Sequence, residues 1–369
     1  MAKKRIYLAV TNDLVTDNRV HKVATTLLKS EVSVTLIGRN KSRNTPALNR
    51  PYNTIRFNLL FKKGPYFYLE YNIRLFLFLL FHRFDIIVAN DLDTLLGSFL
   101  ASKLKSKKIV YDSHEYFTEV PELFNRKFPK KVWTFIERLI LPKIKYACTV
   151  SESIAITYNK LYHIDLKIVR NVPNFRNKEE TQINNTTKQI LYQGSLNIGR
   201  GLEQMIDAME FTENCELVII GDGDITNQLK ERIQSKNLNH KVTLKGRIPF
   251  ESLMKETLKA DLGIALEENL GLNYYYALPN KLFDYIQAGV PVLVSPFPEM
   301  QKIVNKYEIG TVYDHKSPQE LAKTINEIFE LKNRYQKWKD NTAKAAQELC
   351  WENEEKILIQ LYKQAGLVF

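Results

Sequence analysis

Short apolar, β-branched runs recur along the whole chain, separated by longer stretches with helical spacing. Strands are predicted at Arg5–Val10, Val32–Gly38, Asp85–Ala89, Lys108–Tyr111 and Ala147–Val150. A second series follows at Gln189–Gln193, Glu216–Ile220, Val242–Lys245, Leu262–Ala265, Val290–Val294 and Thr311–Tyr313. These runs are nearly continuous in apolar residues instead of alternating, which is the pattern of parallel strands covered on both faces. Strands alternating with helices give βαβ units, so the fold class predicted is α/β with doubly wound sheets. The pattern breaks over residues 171–188, a polar stretch with Pro173 and neither period, which reads as a linker between two α/β halves of similar size.

Composition narrows the class. With 44% apolar and 25% charged residues the chain is ordinary globular material. Cys148, Cys215 and Cys350 lie far apart without a CxxC spacing, which excludes a disulfide scaffold and a cysteine-rich zinc site. The N-terminal MAKKRIYLAVTND has charge but no long apolar core, so no signal peptide is read there. The longest fully apolar run, Leu75–Phe81, is far short of the roughly 20 residues a spanning helix needs. The expectation is a cytoplasmic protein.

Charge divides the halves. Residues 1–170 hold 29 Lys/Arg against 14 Asp/Glu, whereas residues 171–369 hold 24 against 27. A basic first half attracts anionic partners. No helix-turn-helix, zinc-finger or RNA-recognition signature accompanies it, so nucleic acid is not the expected partner. The segment 57–84, FNLLFKKGPYFYLEYNIRLFLFLLFHRF, mixes basic residues with aromatics and leucines. It reads either as an amphipathic surface for an anionic membrane, or as a core helix beginning near Tyr68 behind a basic loop. Membrane contact through the first half would make the protein peripheral on the inner face of the plasma membrane.

In open α/β sheets ligands bind beyond the carboxyl ends of the strands, so the residues after each strand carry most weight. After Gln189–Gln193 comes Gly194-Ser195-Leu196-Asn197-Ile198-Gly199-Arg200-Gly201, with a helix starting near Leu202. Glycines allow close backbone approach, and Arg200 would add charge to the amide donors of a helix start. The alternative is a plain Gly-rich turn. Gly221-Asp222-Gly223-Asp224 follows the next strand and reads as a ligand contact or as a tight turn with Asp224 as N-cap. The most informative run is LPNKLFDYIQAGVPV from Leu278: a helix opening at Pro279-Asn280, Gly289 as C-cap, then a buried strand. Lys281 and Asp284 share the first turn, where a lysine can meet phosphate and a carboxylate can accept both hydroxyls of a ribose; a surface ion pair between them is the plainer alternative.

Taken together, GSLNIGRGLEQMIDAM from Gly194, VIIGDGD, VTLKGRIP around Gly246 and PNKLFDYIQAGVPVL resemble the family-4 (group 1) retaining glycosyltransferases of GT-B fold, in a variant with a PNKxF[DE]Y motif. The first half agrees through TDNRVHKVATTLLKSEVSVTLIGR from Thr16, IIVANDLDTLL and KIVYDSHE. The resemblance implies two Rossmann-like domains facing each other across a cleft. It implies residues 1–170 as acceptor domain, 189–348 as nucleotide-sugar domain, and 349–369 as a helix returning to the first. It also implies a sugar moved with retention from a nucleotide diphosphate, UDP or GDP, without a metal cofactor. The acceptor implied is a glycan or lipid-linked glycan of the cell envelope.

By the same resemblance Arg200 contacts the diphosphate, Asp284 is the second acid of the family's E-x7-E motif and holds the ribose, and His114 reaches the donor sugar. Gly194, Ser195, Gly221, Asp222, Gly223, Gly246 and Asn280 line the donor side, and Asp17, Arg19 and Asp91 border the acceptor side. Two positions depart from the family pattern. Tyr276 stands where the first acid of E-x7-E belongs, with Glu267 or Glu268 as substitutes from the preceding loop. Ser195 stands where a second arginine is frequent, and Lys281 would supply that charge.

Other chemistries fit less well. Asp91-Leu92-Asp93 has the form of a metal-binding DxD pair, but the second-half site already accounts for the chain. No HExxH or GxSxG occurs, against a zinc or serine hydrolase. A nucleotide-sugar epimerase would want a further carboxylate and histidine set, which is not found. A non-catalytic nucleotide-sugar binder is the reading that Tyr276 keeps open.

Overall fold

The computed structural model describes residues 3–15, 17–42, 48–124, 126–176, 187–314 and 317–369. Thr16 of the first-half motif and residues 177–186 of the expected linker lie outside the described residues. The chain divides into two compact units, one of Met1–Asn171 with Glu354–Phe369 and one of Val172–Asn353. The second passage between them therefore falls inside the helix Trp351–Gln364.

The first unit is built on a seven-stranded parallel sheet. Its strands are β1 (Lys4–Ala9), β2 (Val32–Arg39), β3 (Asn53–Phe57), β4 (Ile86–Asn90), β5 (Lys108–Ser113), β6 (Tyr146–Thr149) and β7 (Lys167–Ile168), in the order β3-β2-β1-β4-β5-β6-β7. The second unit has six parallel strands: β8 (Lys188–Gln193), β9 (Cys215–Ile220), β10 (Val242–Gly246), β11 (Leu262–Ala265), β12 (Val292–Val294) and β13 (Gly310–Val312), in the order β10-β9-β8-β11-β12-β13. The central strands are buried on both faces, as in Ile6, Leu8 and Val88 of the first sheet and Ile190, Ile219 and Ile264 of the second. Strand order reverses between β1 and β4 and again between β8 and β11, and such switch points open crevices at the carboxyl ends of the strands. These are two Rossmann-like doubly wound domains.

Two strands escaped the sequence pattern. β3, NTIRF, is an edge strand with no buried residue, so its signal carries no apolar run. β7 is two residues long and pairs only with Cys148 and Thr149.

The helix expected near Tyr68 begins at Pro65 instead and runs to Phe81. Gly64 has φ 78° and turns the chain into Pro65, whose fixed φ suits the first turn. Glu70 accepts the amides of Leu60 and Phe61 and pairs with Arg74, tying the basic loop to the helix. One face buries Phe67, Tyr71, Leu75 and Leu79; the other leaves Tyr66, Leu69, Ile73, Leu77 and Phe81 exposed. Among the described residues no helix is long and apolar enough to cross a membrane.

Candidate functional site

In the second unit the site assembles at the switch point. β8 and β11 pair only as far as Leu191 and Gly263 and then splay. Fully buried Tyr285 fills the opening: its hydroxyl donates to the carbonyls of Leu191 and Ile264, at 3.0 and 3.3 Å, and accepts the amide of Gln193 at 3.3 Å. That contact fixes the helix Asn280–Gln287 with its N-terminus toward the loops after both strands.

Lys281 points inward from that helix. It is buried, its Nζ lies 3.0 Å from Glu267 Oε1, and it stands 3.9 Å from the centroid of the Tyr192 ring. Arg200 approaches the same Glu267 oxygen at 3.4 Å and lies over the Tyr274 ring. Glu267 is fully buried at the end of β11, its carbonyl accepting Ser295 Oγ at 2.6 Å. One buried carboxylate thus aligns two cations, and the surface pair between Lys281 and Asp284 gives way to a buried pair with Glu267. Gly194 passes close above Lys281, so the ammonium lies beside a stretch of exposed backbone. Two cations, loop amides and a helix N-terminus can together hold a dianionic group.

Asp284 turns away from Lys281. Its Oδ2 accepts Gln193 Nε2 at 2.8 Å, and Gln193 Oε1 in turn accepts Thr257 Oγ1 at 2.8 Å. Asn280 and Ser195 are exposed, and Tyr276 closes the short helix Leu272–Tyr275.

The glycine loops are tied together by backbone. Gly194 N donates to the Ile220 carbonyl, Gly221 N to the Gly246 carbonyl, and Glu268 N to the Gly199 carbonyl. Gly221 has φ 147°, and a Cβ there would lie 1.8 Å from the Gly194 carbonyl oxygen. At Gly201, φ 66°, a Cβ would lie 2.2 Å from the Leu266 carbonyl oxygen. Gly221→Ala is expected to lower the unfolding free energy by about 2–4 kcal/mol, since strain and a backbone clash add; a change under about 0.5 kcal/mol in urea denaturation would contradict this close approach. Asp224 is not the N-cap considered above. Asp222 is the local acceptor, taking Gly223 N and Thr226 Oγ1 at 2.9 Å each, while Asp224 N donates to Asn197 Oδ1.

The first unit carries a charged cluster at its own switch point. Arg19 is buried, donates to both oxygens of Asp112, at 2.6 and 3.3 Å, and gives a further bond to the Val169 carbonyl. His114 follows β5, with Nδ1 3.3 Å from Asp91 and Nε2 3.4 Å from Asp112; its amide donates to Asp91 at 2.7 Å. Asp91 sits at φ 60°, ψ 171°, a conformation few L-residues adopt, and holds it where its carboxylate serves His114. Asp93 accepts Thr11 Oγ1 at 2.5 Å.

Burial alone would lower the His114 pKa, but the charges of Asp91 and Asp112 outweigh it and lift the imidazole to about 9. Burial raises Asp112, and Arg19 and His114 reverse that to well below the usual range. Burial, then the charge of Asp91, push Asp93 up to about 7. Two carboxylates therefore balance two cations, and the third holds its proton into the neutral range.

Arg19 and Asp17, both expected on the acceptor side, are each engaged by the protein itself. Arg19 is turned inward onto Asp112. Asp17 caps the helix Asn18–Leu27 by accepting Val20 N and also accepts Asn12 Nδ2. Among the described residues no group of three His, Cys, Asp or Glu is arranged to hold a metal ion.

Sequence reading missed Gln193, Tyr192 and Asp112 as parts of these clusters. Each ends or nearly ends a strand, which is the one signal that could have singled them out. Glu267 was named there but had no place.

The family described as Glycosyl transferases group 1 matches residues 174–345, and Glycosyltransferase Family 4 matches residues 17–180. An uncharacterised glycosyltransferase of Methanocaldococcus jannaschii is 26% identical over 229 residues, 59% of this chain and 55% of the relative. The chain thus spans about half the length of that curated relative. Sucrose-phosphate synthase from Thermosynechococcus elongatus superposes with TM-score 0.81 at 18% identity, covering 98% of this chain and 99% of the other. Anabaena HepE, in complex with UDP and glucose, superposes with TM-score 0.74 at 14% identity over 98% and 99%. The two family matches meet in the linker and between them take in both Rossmann-like domains, so the chain belongs to the group 1, family 4 glycosyltransferases and has their GT-B fold.

Proposed function

We propose that this glycosyltransferase moves a hexose with retention from a UDP- or GDP-sugar to a lipid-linked glycan of the cell envelope. The observation that carries the donor half is the joining of Arg200 and Lys281 through buried Glu267 at the β8–β11 switch point. Their charges, with the Gly194 and Gly221 loops and the amides before Leu282, suit a diphosphate leaving group. Asp284, held by Gln193, is the ribose acceptor, and Asn280 and Gly246 border the nucleotide. The HepE neighbour, solved with UDP and glucose, supports a UDP donor.

In the reaction the bond from the anomeric carbon to the diphosphate oxygen breaks, and the acceptor oxygen bonds to the same face. The acceptor proton passes to the departing phosphate. The protein holds the developing charge, and no side chain need act as nucleophile. His114, kept cationic by Asp91 and Asp112, is the first domain's candidate for contact with the donor sugar. Its charge suits a hydrogen-bond donor better than a base at neutral pH. The acceptor half of the proposal rests on the excess of basic residues in the first domain, which suits an anionic membrane surface.

Calorimetry and thermal shift against UDP, GDP, ADP and CMP test the donor half. One of UDP or GDP is expected to raise the melting temperature in proportion to the logarithm of its concentration over Kd. Arg200→Ala and Asp284→Ala should each weaken that binding by about tenfold or more. Binding of none of the four, or binding indifferent to both substitutions, would overturn the donor site.

A further inference from the structure

The helix Lys127–Ile140 of the first domain is amphipathic in an unusual sense: its apolar stripe faces outward. Phe128, Val132, Phe135 and Leu139 follow the i, i+4, i+7, i+11 spacing of one helical face, and all are exposed, Phe128 to 77% and Phe135 to 66%. The inward side is held by Trp133, which meets Phe117 and Tyr68 at ring distances of 5.2 Å, and by Ile140. Inward too lies Glu137, buried where Tyr158, Tyr162 and Thr118 all donate to it.

Charge on the helix is sorted in the same way. Glu137 is the one acidic residue between Arg126 and Ile140, and it is buried. Arg126, Lys127, Lys131 and Arg138 are exposed, and Lys130 reaches Glu119. The outer surface therefore presents large apolar side chains among positive charges only. A protein partner would need acidic groups ringing an apolar groove, whereas an anionic bilayer supplies negative headgroups above an apolar layer in that very order. The Tyr68–Trp133 contact joins this helix to the helix Pro65–Phe81, whose outer face is also apolar.

We infer that the helix Lys127–Ile140 docks the first domain onto an anionic phospholipid bilayer, with Phe128, Val132, Phe135 and Leu139 entering the interface and Lys131 and Arg138 at the headgroups. The inference deepens the proposed use of a lipid-linked acceptor, naming the docking element. It also moves that element beyond the 57–84 segment that the sequence marked.

The test is flotation of the full chain with phosphatidylcholine vesicles, with and without about 30% phosphatidylglycerol. The wild-type chain is expected to float with the anionic vesicles and not with the neutral ones. Phe128→Ser with Phe135→Ser should lower that partition by about tenfold or more, and Lys131→Glu with Arg138→Glu should do the same. Both variants change exposed side chains, so their melting temperatures should match the wild type, which separates lost docking from misfolding. No flotation of the wild-type chain, or variants that float as it does, would overturn the inference. So would a wild-type dimer in gel filtration that Phe135→Ser dissociates, since the stripe would then face a second copy. Nucleotide binding measured on the same samples keeps the readings apart: a chain that binds UDP or GDP without floating defeats this inference alone, and one that floats without binding nucleotide defeats the donor reading alone.

Discussion

Glu267→Ala lowers the unfolding free energy by about 3–5 kcal/mol, the cost of leaving a buried lysine without its counter-charge. Glu267 is fully buried and Lys281 nearly so, with 3.0 Å between the charged atoms. The aromatic ring of Tyr192 compensates only in part, because a cation–π contact is worth about 0.5–2 kcal/mol. Arg200, a quarter exposed and 3.4 Å away, loses less. Transfer activity should fall by about 100-fold or more, since the two cations would no longer be fixed where leaving-group charge develops. Glu267→Gln keeps the shape and isolates the charge. Combined with Lys281→Met it should recover part of the stability lost by either change alone, a coupling of about 1–3 kcal/mol in a double-mutant cycle. Urea denaturation and initial rates measure both. Additive stabilities, or an alanine variant within about 0.5 kcal/mol of the wild type, would mean that the buried pair does not form.

Asp112→Asn should cost a similar amount, about 3–5 kcal/mol, by stranding the Arg19 charge in the interior of the first sheet. Its pH signature is more diagnostic. Asp112 is depressed in the folded chain, so its contribution is present above the unfolded value near 3.9 and is lost as pH falls below it. His114 is raised to about 9, so its contribution is complete below about 6.5 and is lost as pH rises through 9, roughly 3 kcal/mol in all.

Asp93 and Glu137, each raised to about 7 chiefly by burial, act in the same direction as His114: both favour the folded state when protonated and lose that contribution between pH 4 and 7. The contribution of these groups to stability therefore peaks at about pH 4–5 and declines in two stages toward pH 9. In Asp112→Asn the His114 titration, followed by NMR, should move to lower pH by about one unit or more, because one of its two carboxylates is gone. An unshifted His114 would sink the account of its charge.

Much of the fold was legible because parallel strands covered on both faces must be apolar throughout. Ile86–Asn90 and Leu262–Ala265 announce themselves in any window of five residues. β3 did not, because an edge strand with Arg56 at its centre has no face that must be apolar. The helix start at Pro65 was hidden behind Gly64, whose positive φ allows the basic loop to turn directly into the helix.

In the candidate site, Lys281 and Asp284 were visible as a spaced pair, but their destinations were not. Lys281 turns to a residue 14 positions earlier and Asp284 to one 91 positions earlier. Arg19 and Asp112 are 93 positions apart, and nothing local to either predicts that they share a charge. The exposed stripe from Phe128 to Leu139 has the spacing of an ordinary buried face, so periodicity alone points it the wrong way.

The sequence by itself determined most of the strands, the division into two α/β halves, the excess of positive charge in the first and the glycine-rich turns that follow the strands of the second. Periodicity and turn chemistry are local, and local physics suffices for them. Only the tertiary structure decided which carboxylate meets which cation, which aspartate holds a proton, and which apolar faces remain uncovered. Those depend on strand order, which brings β8 beside β11 and β1 beside β4, and on the desolvation that follows when side chains from distant positions are buried together.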